Sequence, residues 1–486
     1  MKIIKKFIQI FSIPPIAFSI YFVLTLYAHN IGELQIPNLM TPLIGFSVVA
    51  FLIGLLMRFF LKSNIKGDVF SSLFMLLFFS YENLFLMFNQ FMSLFKTVTI
   101  DQSYIFAFLL SILCIFIFIK IKNAKRDFSS VYKFLYIMSL IAIFFPISKI
   151  YPYELSQRNK KILTSPMELP QLKLNQDNNN LPDIYYIVPD SYSSSEVLSK
   201  YYGYDNSTFL QFLTKNNFFI ASQSTSNYPK TFLSISSSLN MEYLDYLEKE
   251  YKNSSDQTVI TPLIENNNVL KLLKRLGYKY YQMGSWWGPT NYNNFADINF
   301  LPEKENKLGL DDFSYLVVQS TMIDPIIHKL FPEEIFDFSD ESKRDRIVYQ
   351  FNTLLKVINL PGPKFVFVHL ITPHGPFVFD ENCNFTSAAK RYSEPVEGGY
   401  IHQVNCINQK LESTITAILQ NPSSHPPVIL LQSDEGSPFL GGKLDPTDNW
   451  KTASTDLIKE KFPIFTAYYL PNVSQSALYP SITPVN

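Results

Sequence analysis

Five long apolar runs fill the first 150 residues, and no other feature limits the possible folds as much. They extend over Phe7 to Tyr27, Met40 to Leu61, Val69 to Phe95, Tyr104 to Ile119 and Val131 to Ile147. A helix that crosses a bilayer needs ~20 apolar residues. Most of the runs are near that length; the fourth is the shortest, and Glu82 interrupts the third. A cleaved signal peptide accounts for the first run alone and leaves four unexplained. Residues 1–150 therefore read as five transmembrane helices, with Pro14 and Pro15 predicting a kink in the first. Glu82 has two readings. It is a functional carboxylate that lines a path or pairs with a polar group, or it marks a point where the run splits or water enters.

Loop charges give the orientation. Lys2, Lys5 and Lys6 precede the first run, Arg58, Lys62 and Lys66 lie around the second loop, and Lys120, Lys122, Lys125 and Arg126 follow the fourth run. The alternate loops carry almost none, Lys96 being the exception. The positive-inside rule predicts a cytoplasmic N-terminus. With five spans, everything after residue 150 lies outside.

Whole-chain composition averages two unlike parts. The 41 basic and 41 acidic residues balance, and no long basic run offers a surface for nucleic acid, which excludes that partner. Three cysteines make neither a disulfide scaffold nor a cysteine zinc site. Cys114 lies within a span. Cys383 and Cys406 are the two outside it, and they either pair in an oxidising compartment or stay free, since spacing fixes neither.

From Tyr151 to Asn180 the chain is polar and aperiodic, and reads as a linker. Short apolar runs then alternate with helical patterns. The runs are Pro182 to Asp190, Tyr278 to Gly284, Lys364 to Leu370, Pro427 to Asp434 and Ile464 to Leu470; the helical patterns are Thr261 to Leu276, Ser342 to Ile358 and Tyr400 to Leu419. This alternation predicts an α/β domain over residues 181–486, a mostly parallel sheet covered by helices on both faces. Open sheets of this kind bind ligands beyond the carboxyl ends of their strands. Asp190, His369 and Asp434 all fall at or near such ends.

The stretch PKTFLSISSSLNM, Pro229 to Met241, adds a hydroxyl. A proline is followed by Thr231 and then by Phe232, Leu233, Ile235 and Leu239 at helical spacing, so Thr231 sits at or next to a helix N-terminus. Free N–H groups and the macrodipole favour an anionic ester there. Thr231 is then either a nucleophile or simply an N-cap. Asp190, Asp434, Glu435, His369 and His374 supply enough ligands for one divalent cation with a position left open. Each acid alone reads equally well as a cap on a neighbouring turn, and TPHGP, Thr372 to Pro376, as a turn with an exposed histidine.

In order along the chain, PDIYYIVPDSY, NYPKTFLSISSSLNM, FVFVHLITPHGPFVFD and ILLQSDEG resemble the alkaline phosphatase/sulfatase superfamily. The likeness is nearest to its membrane-anchored members related to lipoteichoic acid synthases and phosphoethanolamine transferases, and it covers residues 181–486. It implies a metal held by Asp190, Thr231, Asp434 and Glu435, Thr231 as the nucleophile, and His374 with His369 against the substrate phosphate. Two departures stand out. Glu435 occupies a place where such families commonly have histidine, and an all-oxygen ligand set favours Mg²⁺ or Mn²⁺ over Zn²⁺. Asp190 is followed by Ser191 rather than a second acid, which points to one metal. The Cys/Ser-x-Pro-x-Arg signature of sulfatases is absent around Thr231. More sheet-covering structure is expected after TPVN, so the chain reads as truncated at its C-terminus.

The resemblance implies a membrane-anchored, metal-dependent phosphotransferase or phosphodiesterase outside the cytoplasm. Its donor is a phospholipid headgroup and its acceptor a glycan or lipid, exchanged through a phosphothreonine. The alternative is an inactive relative that binds an envelope glycan, lipid or partner in the same cleft. The large outer domain speaks against a transporter.

Overall fold

The computed structural model describes residues 12–34, 36–92, 102–159, 163–170, 181–251, 254, 256–302, 312–324, 340–386, 396–422, 425–437, 439–440, 443–444 and 450–486. It divides into two compact units. One comprises residues 1–161 and 306–336, the other residues 162–305 and 337–486.

The first unit is helical: α1 Ile13–His29, α2 Ile36–Leu61, α3 Asn64–Phe79, α4 Tyr81–Met92, α5 Gln102–Asn123 and α6 Ser129–Asn159. Among the described residues, three helices are long and apolar enough to cross a membrane, those at Ile36–Leu61, Ile105–Asn123 and Ser129–Gln157. A fourth span arises if α3 and α4, bent by 60° at their junction, count as one. The first of the expected five runs begins at Phe7 and lies partly outside the described residues. The third run breaks at Ser80, and the first yields a described helix of 17 residues. Pro14 and Pro15 occupy the first turn of α1 rather than kinking it, because a proline N–H is not needed there. Glu82 lies exposed in the first turn of α4, two residues after the break at Ser80. α6 runs on to Asn159, through the start of the expected linker; residues 171–180 lie outside the described residues.

Polar groups tie this unit together internally. Arg58 and Asp68 form a buried bidentate pair, Nε to Oδ1 at 2.7 Å and Nη2 to Oδ2 at 2.8 Å, and the Ser12 hydroxyl donates to the same Asp68 oxygen. Arg58 is therefore no free loop charge. The Tyr27 hydroxyl of α1 donates to Glu154 of α6 at 2.9 Å. One helix comes from much later in the sequence: Asp312–Gln319 sets Phe313 edge-on against Tyr27 at 5.8 Å, and the Met322 N–H donates to the Phe78 carbonyl at 3.0 Å.

The second unit is built on seven strands: β1 Ile184–Asp190, β2 Phe219–Ile220, β3 Lys279–Met283, β4 Ile298–Phe300, β5 Lys364–Pro373, β6 Val428–Gln432 and β7 Thr466–Tyr469. Their order is β2-β7-β6-β1-β5-β3-β4. The five strands from β6 to β4 run parallel, and β7 pairs antiparallel with both β6 and β2. Alternating residues serve opposite faces, as a pleated strand requires. Tyr185, Ile187, Val366 and Val368 pack with Phe351, Leu354, Val404 and Leu411, whereas Tyr186, Val188, Phe365 and Phe367 pack with Ile235, Leu239 and Leu270. Helices so cover both faces. Those that bear on the site are α7 Thr231–Asn240, α8 Asp340–Val357, α9 Val396–Gln420 and α10 Thr455–Lys461. The single helix expected over Thr261 to Leu276 is instead two, Thr261–Glu265 and Asn268–Arg275, because Asn267 caps the second by accepting from the Leu270 N–H at 2.7 Å.

Candidate active site

Strand register assembles the site. Ile187 of β1 pairs with Leu431 of β6, so Asp190 and Asp434, each three residues farther on, leave the sheet side by side. His369 of β5 pairs with Val188. One ligand atom from each of Asp190, His369 and Asp434 lies within 4.8 Å of the others, and all three residues are buried. His369 Nε2 stands 3.4 Å from Asp190 Oδ2, while Nδ1 faces the Thr290 hydroxyl at 2.9 Å. Thr290 in turn meets Ser285 Oγ at 2.7 Å. A histidine held at one nitrogen in this way presents the other.

Thr231 is the first residue of α7. Lys230 holds the cap position, and its side chain makes no capping bond, so the threonine is not the N-cap. Its hydroxyl lies beside the Asp434 carboxyl. α7 is fixed under Asp434 by Ser234, whose hydroxyl donates to the Asp434 carbonyl at 2.5 Å. Thr231, Lys230, Asp190, Glu435 and His374 line a cleft of about 280 Å³, walled by Trp286 and Trp287. His374 Nδ1 donates to the Gly375 carbonyl at 2.7 Å, and its N–H donates to the Asp190 carbonyl at 3.0 Å.

Glu435 is differently engaged. Its Oε1 pairs with Lys461 Nζ of α10 at 2.8 Å, both side chains being buried. The Glu435 side chain thus carries its own cation, which sequence reasoning missed. Lys461 lies 26 residues away in no motif, and only the return of α10 to the strand ends brings it in. Trp286 and Trp287 were also missed, although they lie just beyond β3, Lys279–Met283, whose run reads as a strand.

Electrostatics reflect crowding. Burial pushes the Asp190 carboxyl up, but His374, His369 and the Ser191 hydroxyl outweigh it and hold Asp190 down at about 2. Burial and the charges of Asp190 and Glu435 drive Asp434 well above the usual carboxylate range. Glu435 is also raised, by burial first, with Lys461 pulling back and Asp190 pushing on. Among the described residues, His369 Nε2, Asp434 Oδ2 and Glu435 Oε2 are buried without a hydrogen-bond partner. Orphaned buried acceptors beside mutually repelling carboxylates are what a divalent cation would satisfy, so the residues fit one. The buried group that could hold an ion includes an imidazole nitrogen, that of His369, beside the carboxylates on which the all-oxygen expectation rests.

Away from the cluster, Cys383 and Cys406 form a disulfide, with Cα atoms 5.0 Å apart.

Comparison with known proteins follows the same lines. Several solved structures are similar at low identity. The C-terminal periplasmic domain of EcEptC from Escherichia coli, in complex with Zn, is 14% identical over 65% of this chain and 84% of its own, with a TM-score of 0.37. The soluble domain of lipooligosaccharide phosphoethanolamine transferase A from Neisseria meningitidis is 13% identical over 61% and 78%, with a TM-score of 0.37. BT1596, a 2-O GAG sulfatase, is 13% identical over 63% and 68%, with a TM-score of 0.39. No curated protein matches. The Sulfatase family model matches residues 182–460, which span the whole strand-end cluster and more than half of the chain. The chain belongs to the sulfatase family, within the alkaline phosphatase/sulfatase superfamily.

Proposed function

We propose that this is a membrane-anchored phosphotransferase, with its α/β unit outside the cytoplasm, in which Thr231 carries the transferred group. The observation behind this reading is the position of Thr231 at the first turn of a ten-residue helix, inside the cleft and beside Asp434. The first N–H groups of α7 and the cationic Lys230 suit a phosphodiester anion. His374, on the same cleft wall, contacts a phosphate oxygen. Asp190, His369 and Asp434 would hold the cation, with Thr231 and Glu435 as further candidate ligands. When bound, the cation lowers the pKa of the threonine hydroxyl and withdraws charge from the phosphoryl oxygens. A mixed nitrogen and oxygen set suits Mn²⁺ or Zn²⁺ better than Mg²⁺.

Thr231 Oγ gives up its proton and bonds to phosphorus, while the bond from phosphorus to the glycerol oxygen of a phospholipid breaks. That oxygen takes up a proton and leaves as diacylglycerol. A glycan or lipid hydroxyl then gives up its proton and bonds to that phosphorus, while the bond from phosphorus to Thr231 Oγ breaks and Thr231 takes up a proton. The lack of a Cys/Ser-x-Pro-x-Arg signature around Thr231 disfavours sulfate esters as substrates.

Intact-mass analysis tests this. The purified protein, incubated with Mn²⁺ and vesicles of phosphatidylethanolamine or phosphatidylglycerol, gains the mass of one headgroup phosphate on the peptide that holds Thr231, and Thr231→Ala gains none. The same adduct on Thr231→Ala, or none on either protein with any headgroup and metal, overturns the reading.

A further inference from the structure

β1 ends at Asp190 and the loop after β5 carries His374, and the loops that follow the two strands are both gripped by one face of α9. Tyr400, wholly buried, donates its hydroxyl to the Ser191 carbonyl at 2.8 Å and accepts from the Ser193 N–H at 3.2 Å. Burial pushes that hydroxyl up to about 12, so it stays a donor at any working pH. One turn on, the equally buried Gln403 takes hold of the other loop. Its Oε1 accepts from the Val378 N–H at 2.9 Å, and its Nε2 donates to the carbonyls of Pro373, at 3.2 Å, and His374, at 2.9 Å. The next turn supplies Cys406 to the disulfide with Cys383, and Asn405 donates to the Glu381 carbonyl at 3.0 Å.

A carboxamide offers an acceptor and two donors in one plane, and Gln403 uses all three roles on a segment of six residues. Gln403 does not line the cleft, so any influence on bound substrate must pass through His374. The His374 backbone is fixed at both ends, its N–H by the Asp190 carbonyl and its carbonyl by Gln403. Without Gln403, only the bond to Asp190 and the ring's bond to Gly375 remain.

We propose that Gln403 is a positioning residue, which sets the His374 imidazole against the Asp190, His369 and Asp434 cluster at the separation a phosphate needs. Tyr400 and the disulfide are adjoining fixings of the same helix face. The proposal rests on the reading of His374 as a phosphate contact. It predicts a separation of two affinities: the cation, held by β-strand ends, is indifferent to Gln403, whereas the phosphate is not.

The test uses full-length protein in detergent, with Mn²⁺ and inorganic phosphate as probes in calorimetry. Gln403→Met keeps the volume and loses every hydrogen bond; Gln403→Glu keeps the acceptor for Val378 and loses the donors. Both are expected to bind Mn²⁺ as the wild type does. Phosphate affinity of the Mn²⁺-loaded protein falls by at least ~10-fold, the worth of one hydrogen bond to a charged group, as it does in His374→Ala. The double variant His374→Ala with Gln403→Met is no worse than His374→Ala, because the two act as one unit. Hydrogen exchange over residues 373–378 quickens in Gln403→Met and stays unchanged over residues 184–190. Unchanged exchange at 373–378, wild-type phosphate affinity in both Gln403 variants, or full additivity with His374→Ala overturns the proposal alone. Unchanged phosphate affinity in His374→Ala overturns the role of His374 and the proposal with it.

Discussion

Asp434 illustrates a residue that works against the fold which carries it. It is buried between Asp190 and Glu435, and its carboxyl is held well above the usual range by burial and by those two charges. A group whose folded pKa exceeds its unfolded value loses its proton in the unfolded chain first. Stability therefore falls as pH rises from about 4 through the folded value. Asp434→Asn removes that deficit. In metal-free protein it should raise the melting temperature by about 2–4 °C at pH 7, roughly 1 kcal/mol, with the gap to wild type closing toward pH 4. The same variant should lose Mn²⁺ affinity, read by calorimetry. Asp190 behaves oppositely: its depressed pKa contributes stability above about 4 that is lost as pH falls toward 2. Glu435 and Lys461 form the third case. Lys461→Met strands a buried carboxylate and should cost about 3–5 kcal/mol in denaturant melts, whereas Glu435→Gln with Lys461→Met should recover most of that. The placement of Asp190 and Asp434 at strand ends and of Thr231 at a helix start was legible in the sequence pattern. The pairing of Glu435 was not, because a salt bridge between residues 26 apart depends on where α10 lands.

Elements were legible where their hydrophobic period was strong. β1, β5 and β6 are mostly apolar and largely buried, so they read as strands of a mostly parallel sheet. Breaks within long runs were harder. Ser80 divides α3 from α4, and Asn267 caps a second helix by accepting from the Leu270 N–H, features that a sliding apolar pattern does not register. Nor did the sequence disclose that Arg58 at the end of α2 turns inward onto Asp68 of α3, with Ser12 as a third member. Such a pair is costly to break and cheap to replace whole. Asp68→Ala alone should lower the stability of the helical unit by about 3–5 kcal/mol, measured by unfolding in detergent, while Arg58→Met with Asp68→Leu should stay close to wild type.

At the scale of the molecule, two measurements address the compartment. A reporter active only outside the cytoplasm, fused after residue 150, should give signal, and a cytoplasm-only reporter should give none. Thiol labelling of unreduced protein should find Cys114 and neither Cys383 nor Cys406, since the latter two are joined. The return of residues 306–336 to the helical unit carries a further consequence for how this protein is dismantled. The chain passes between its units three times, so a protease that cuts only within residues 171–180 leaves the downstream fragment still moored by Phe313 and Met322 to α1 and α3. After such a cut, that fragment should sediment with the membranes and come free on adding detergent, so a nick there does not release the α/β unit.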